Sequence, residues 1–258
     1  KADSWSRRSV RWAWQRPWLA LPALALPALW PLLTMGLSRS ADGALHLLRL
    51  VVLDHHVRQG MLYPRWAPEL YTGLGYPVFN FYGPLSYYLA EALHLLGLDL
   101  VSALIASLVL WTLLAGFGMY RLAYDVLGSG QRWAALVAAT AYMIAPYLLL
   151  NLHVRAAIAE VGAQALLPWI FWGVRRLLTD QRPAHYLLPV ALALGGLAIT
   201  HNITLLFTPL VLASYILVVW WQTGRARARL GWILGALAAA MGVSAFFWLP
   251  LIGERQFL

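Results

Sequence analysis

Seven stretches of 16 to 22 mostly apolar residues recur along this chain and constrain its fold more than any other feature. They run Pro17–Leu37, Val101–Leu122, Trp133–Leu150, Ala163–Leu178, His185–Thr200, Ile203–Trp221 and Leu230–Pro250. An apolar helix of roughly 20 residues crosses a hydrocarbon core of roughly 30 Å. These runs are apolar all round, without the polar stripe a water-facing helix keeps, so a soluble core of this length is disfavoured. With 61% hydrophobic and only 11% charged residues, the expected fold is all-α, a polytopic transmembrane helical bundle of about seven spans forming one domain over residues 1–258. Pro84–Leu98 is short and carries Glu91 and His94, which predicts a helix lying at the interface rather than crossing.

The charges test this count. With a cytoplasmic amino terminus and seven spans, 13 of the 19 Lys and Arg residues fall inside with three acids, and six fall outside with seven acids. That is the positive-inside pattern. Making Pro84–Leu98 a true span would send the later arginine clusters outside. The regions that follow are a cytoplasmic arm (1–16), a first outer loop with interfacial helices (38–100) and a second outer loop (151–162). The expected location is a bacterial plasma (inner) membrane with membrane lipids as partners. The amino-terminal SWSRRSVRWAWQRPW mixes Arg with Trp and is expected to lie on anionic headgroups.

The net charge of +9 is therefore read as topology. No separate basic domain exists to bind nucleic acid, and none is expected as a partner. Zero cysteines exclude disulfides, thiolate nucleophiles and Cys-based metal sites. Asp54-His55-His56 is followed by Val57, so the DHH-Cys chemistry of protein acyltransferases is excluded too. The sequence starts at Lys1 without Met and stops just past a span, so a further carboxyl-terminal soluble region is expected.

The spans carry little chemistry, so the outer loops are where it is sought. From Ala41 to Gly60, Asp42, His46 and Arg49 stand at spacing 0, 4 and 7, one face of an amphipathic surface helix. His55, His56 and Arg58 follow on the same helix. Gly60 ends it, and Pro64, Pro68, Gly73, Gly75 and Pro77 keep the next stretch, with Arg65, irregular. Tyr82, Tyr87 and the other aromatic residues of this loop are assigned mainly to the interfacial belt. In the second outer loop His153, Arg155 and Glu160 sit between two spans. An acid at the mouth of an apolar helix is costly unless paired or solvated, so Glu160 is either functional or the partner of Arg155. Asp42 is either functional or a helix cap. His201 marks a third outer turn.

An inward amino terminus, a first span, a large outer loop with an early Asp42 and surface helices, then two spans leading to His153-Val154-Arg155 and Glu160 resemble the GT-C superfamily of integral-membrane glycosyltransferases. Gly60-Met-Leu-Tyr-Pro-Arg-Trp66 and Gly75-Tyr-Pro77 share in this resemblance. It implies transfer of a sugar from a lipid-linked, polyprenyl-phosphate donor to an acceptor hydroxyl at the outer face. Asp42 and Glu160 would be the catalytic residues, with Asp42 as general base. His46, Arg49, His55, His56, Arg58, Arg65, His153, Arg155 and His201 would be substrate-binding. The oligosaccharyltransferase branch has a paired acidic motif in the second loop; here Ala157, Ile158 and Ala159 precede a lone Glu160. No cofactor is assigned with certainty, and a divalent metal stays an open alternative. Two rival readings remain: a non-catalytic subunit of a larger membrane complex, and a lipid or solute transporter, for which the spans offer helix breakers without midplane charges.

Overall fold

A computed structural model describes residues 16–37, 40–128, 130–224 and 229–257. The described chain is helical, with a single isolated bridge between Ala67 and Tyr76. Residues 1–15 of the expected cytoplasmic arm, Ser38, Arg39 and the arginines at 225 and 227 lie outside the described residues.

A 3-10 turn, Pro17–Ala20, leads into α1 (Leu21–Met35). The first outer loop then builds α2 (Gly43–Arg58), a four-residue α3 (Val78–Phe81) and α4 (Leu85–Leu95). After α5 (Leu100–Leu127) and α6 (Arg132–Met143) comes the short α7 (Pro146–Leu149), which passes directly into a π-helical turn, Leu150–Arg155. The remaining helices are α8 (Ile158–Thr179), α9 (Ala184–Ala198), α10 (Asn202–Thr223) and α11 (Leu230–Gly253).

Among the described residues, five helical segments are long and apolar enough to cross a membrane: Pro17–Met35, Leu100–Leu127, Arg132–Arg155, Asn202–Thr223 and Leu230–Gly253. The two further expected spans are both helical but differ from these. α8 has 22 residues, enough to cross, yet carries Glu160, Gln164, Arg175 and Arg176. α9 has only 15 residues. α8 is central, packing against α5, α9 and α10 with no exposed residue, whereas α9 packs against α8 and α11 and exposes Leu188 and Leu192 on its other face. A helix sheathed by other helices, as α8 is, meets little lipid, so it tolerates polar residues.

Close helix contacts are made at small residues. Gly118 of α5 lies where an added Cβ would meet the Trp169 indole of α8 at 2.6 Å, and Gly173 of α8 faces Val190 of α9 at 2.4 Å. Such positions let backbones approach where no water-driven force separates protein from lipid. The outer surface is apolar: Leu206, Leu210 and Trp221 of α10 and Leu234 of α11 are exposed. A surface this extensive requires lipid or another protein to cover it.

α2 and α4 are the main helices of the first outer loop. α4 has 11 residues, about half the length of a span. α2 buries His46 and His56 together with Leu50, Val52 and Leu53, while Leu45, Leu48 and Val51 on another face are exposed. Between them Gly75, at φ +83, lies under the Trp66 ring, so that no side chain fits there.

Candidate functional site

The outer loops converge on one end of the bundle through backbone and side-chain bonds. The amides of Ala41 and Asp42 donate to the carbonyls of Val154 and Arg155, at 3.2 and 3.1 Å. Leu85 N–H donates to Ile199 O, Asn202 donates to Phe81 O, and Ser86 donates to Ile158 O. Glu254, just after α11, accepts from Arg65 at 2.6 Å and from Asn80 at 2.8 Å. First loop, second loop, third turn and the end of α11 therefore form one polar cap.

Its centre is the break between α7 and α8. A π-turn opens the hydrogen-bond ladder, and Ala156 follows in the left-handed region at φ 53, an uncommon conformation for alanine. This kink turns the Arg155 carbonyl toward Asp42 while the Arg155 side chain reaches forward. Its Nη1 donates to Asn151 Oδ1 at 2.9 Å and to Glu160 Oε2 at 2.6 Å. Tyr147 donates to the other Glu160 oxygen. Glu160 is thus buried with both oxygens engaged, which meets the cost of an acid in the first turn of an apolar helix.

Asp42 differs. It stands at the N-cap position of α2, yet its side chain makes no cap bond; Ser40 Oγ accepts from the Gly43 amide at 3.0 Å instead. The half-buried Asp42 carboxylate acts electrostatically on Arg155, His46, Tyr82 and Tyr87.

Below it lies a buried polar string. Arg49 Nη1 donates to the Tyr87 hydroxyl at 3.2 Å, and that hydroxyl lies 2.6 Å from His46 Nδ1. The hydroxyl and Nδ1 share this one bond, its donor set by the His46 tautomer. Burial, reinforced by Arg49, lowers the His46 pKa to about 4, so the ring is neutral at neutral pH. The Arg49 guanidinium also stacks over Tyr82 at 4.6 Å. Burial raises the Tyr82 and Tyr87 hydroxyls above the usual range.

A cleft of about 520 Å³ opens beside this cap between α6–α7, α8 and α10. Tyr147, Glu160, Gln164 and His201 line its polar part, and Leu167, Phe171, Phe207 and Val211 continue it along apolar helix faces. His201 caps α10, its Nδ1 accepting from the Thr204 amide at 3.3 Å, and burial lowers its pKa. Gln164 Oε1 is buried without a hydrogen-bond partner. A larger crevice of about 660 Å³ between α9, α10 and α11 contains no ionisable side chain.

Of the residues singled out from sequence, Asp42, His46, Arg49, Arg155, Glu160 and His201 belong to this assembly. The others lie elsewhere. His55 and His56 face Glu69 at 4.0 and 3.2 Å, Arg58 pairs with Asp54 at 2.6 Å, and Arg65 with Glu254. His153 turns to the Ala28 carbonyl of α1 at 2.8 Å. Tyr82, Tyr87, Tyr147, Asn151 and Gln164 join the site without having been singled out for it. Tyr82 and Tyr87 look like belt aromatics in a loop with many, and only their contacts with Arg49 set them apart. Among the described residues no group of three or more His, Asp or Glu side chains is arranged to hold a metal ion. Glu160, with its two oxygens engaged by Arg155 and Tyr147, does not fit a divalent ion.

Fold and composition together define a helical integral membrane protein. The chain belongs to the family described as 6-pyruvoyl-tetrahydropterin synthase related domain; membrane protein, whose model matches residues 79–257. That range holds Arg155, Glu160 and His201 and leaves out Asp42, His46 and Arg49. An uncharacterized protein of Lactococcus lactis subsp. cremoris (strain MG1363) is 25% identical over 218 residues, 82% of this chain and 35% of the relative. The chain thus spans about a third of that relative's length. No solved structure matches.

Proposed function

We propose that the protein is a GT-C-type glycosyltransferase that moves a sugar from a polyprenyl-phosphate donor to an acceptor hydroxyl at the outer face of a bacterial plasma membrane. The observation that carries this reading is the cleft whose polar end meets Glu160 and His201 and whose apolar wall descends along α8 and α10. A lipid-linked sugar has this same division. The reading takes seven crossings with a cytoplasmic amino terminus, which puts Glu160 at the outer face. Asp125, Arg175, Arg176 and Asp180 gather at the end opposite Glu160.

In this reading Asp42 takes the proton of the acceptor hydroxyl as its oxygen attacks the anomeric carbon. The bond from that carbon to the donor phosphate oxygen breaks, and polyprenyl phosphate leaves with the electron pair. Arg155, positioned by Glu160 and Asn151, neutralises the leaving phosphate by charge-assisted hydrogen bonds. Neutral His46 keeps Arg49 and Tyr87 in place beneath Asp42 without adding positive charge. Direct displacement inverts the configuration.

The test is sugar transfer from a radiolabelled polyprenyl-phosphate sugar by the purified protein in vesicles. Asp42→Asn should abolish transfer with insertion and thermal unfolding unchanged; full activity in that variant removes the assignment. A second reading, a non-catalytic subunit with a transferase-like scaffold, is favoured by one observation: both Glu160 oxygens are already engaged. It forecasts no transfer by the parent protein with any such donor.

A further inference from the structure

The opposite end of the bundle carries a second lateral groove that no step above uses. It measures about 490 Å³ and is lined by Trp18, Leu114, Phe117, Tyr120, Arg121 and Trp169. Its walls are fixed rings. Trp169 Nε1 donates to Leu114 O at 2.9 Å, Trp18 meets Phe117 edge-on at 6.3 Å, and Trp169 meets Trp172 edge-on at 5.8 Å. Leu114 and Arg121 are two turns apart on α5, so the trough's lining spans about 10 Å along that helix.

The charge at its mouth is held in an unusual way. Arg121 is exposed and its guanidinium stacks over the Trp172 ring at 5.1 Å. The acid one turn further along α5, Asp125, would be its natural helix partner. Both Asp125 oxygens are taken instead: Arg175 Nε lies 3.1 Å from Oδ2 and Arg176 Nε 3.2 Å from Oδ1. Arg176 also pairs with Asp180 at 3.3 Å. The local acids are thus consumed by α8, while Tyr120 senses the positive charge of both Arg121 and Arg132. Arg132 opens α6 and Arg16 precedes the Pro17–Ala20 turn, which adds further positive charge to this end.

We propose that this groove is a binding site for one anionic phospholipid, its phosphate on Arg121 and an acyl chain along Phe117, Leu114 and Trp169. The charge complementarity selects the occupant. Basic pockets between membrane helices take anionic headgroups, and an aromatic-walled trough directly below accepts the attached chain. A zwitterionic lipid offers the same chain without net attraction, and a free phosphate offers the charge without the chain. Trp172 locks the guanidinium by its ring face, so the headgroup meets a pre-oriented donor fork.

The experiment is native mass spectrometry of the purified full chain released from vesicles of equimolar phosphatidylglycerol and phosphatidylcholine, paired with thermal unfolding in detergent. The parent should retain one phosphatidylglycerol in preference to phosphatidylcholine, and added phosphatidylglycerol should raise its unfolding temperature saturably. Arg121→Gln, an exposed position, should lose the retained lipid and that rise. Equal retention of the two lipids by the parent overturns the proposal whatever the variant does. An equal rise from inorganic phosphate overturns it as well, as does an undiminished phosphatidylglycerol effect in Arg121→Gln. If Arg121→Gln does not fold, Leu114→Trp, which fills the trough and leaves Arg121 intact, must release the lipid.

Discussion

The two ends of the bundle each set a carboxylate among arginines, and they resolve the charge differently. At the arginine-rich end Asp125 lies between Arg175 and Arg176, with Asp180 on the far side of Arg176, and nothing is left over on the acid side. At the opposite end Glu160 is similarly shared between Arg155 and Tyr147, but Asp42 stands next to that pair without a cap bond. The end with Glu160 also contains a π-turn and a left-handed Ala156. A saturated ion network stabilises a bundle; in the proposed reaction an acid not held by a cap bond is able to change partner. The largest expected effect tests that contrast. Asp42→Asn should lower transfer by roughly 10²–10⁴-fold, the usual contribution of a general base, with no loss of thermal stability. Asp125→Asn should do the reverse. Equal loss of activity in both variants would erase the distinction between the two ends.

The next effect concerns pH. Burial and the neighbouring Arg49 hold His46 at about 4, below the ordinary 6.5. A depressed value means that the unfolded chain binds the proton more readily, so the associated stability is fully present above pH 6.5 and is lost as pH falls toward 4. The fall is up to about 3 kcal/mol, since each tenfold loss of proton affinity corresponds to about 1.4 kcal/mol. Thermal unfolding in detergent between pH 7 and pH 4 should show this decline in the parent and a flatter profile in His46→Gln. A profile identical in the two proteins would mean that the His46–Tyr87–Arg49 string does not govern the outer end.

A smaller effect is expected at the other end. Asp125→Ala leaves Arg175 and Arg176 without their shared acid. A fully buried pair broken in this way costs about 3–5 kcal/mol. Here the arginine side chains are 19% and 30% exposed, so water recovers part of the loss and about 2 kcal/mol is expected. Chemical unfolding of the detergent-solubilised variant measures it. Transfer per folded molecule should be unchanged.

How much of this was legible in the sequence follows from where the information is local. Apolar runs specify helices by themselves, so α1, α5, α10 and α11 match their expected spans closely. The short α4 and the Gly60 stop of α2 were also readable, because length and a positive-φ glycine act within one element. α8 and α9 are harder. Their helicity was legible but not the sheathing of α8 by its neighbours, which is what lets α8 keep Glu160 and two arginines. In the site, the 0, 4, 7 spacing correctly put Asp42, His46 and Arg49 on one face. The choice between cap and free acid at Asp42 depended on Ser40 Oγ, two residues away, which only the folded turn reveals. His153 is the opposite case: a histidine two residues from Arg155 looks like its companion, yet the π-turn directs it back to Ala28 of α1. Tyr82, Tyr87 and Tyr147 meet the site from three different segments, and no spacing within the chain announces that.

The smallest predicted effect separates the two readings of Glu160 most finely. Tyr147→Phe removes one hydrogen bond to that carboxylate and leaves the Arg155 bond intact. Tyr147 is 54% exposed, so the loss should be about 1 kcal/mol, or roughly fivefold in an equilibrium. If Glu160 positions Arg155 for a departing phosphate, a looser carboxylate lets the guanidinium move, and transfer falls by about that factor with unfolding little changed. If Glu160 only anchors α7 to α8, the same kilocalorie appears in unfolding and leaves transfer untouched. A loss as large as that of Asp42→Asn would mean that the Tyr147 hydroxyl itself takes part in proton transfer. The roles assigned to Asp42 and Glu160 would then have to be exchanged between the loops.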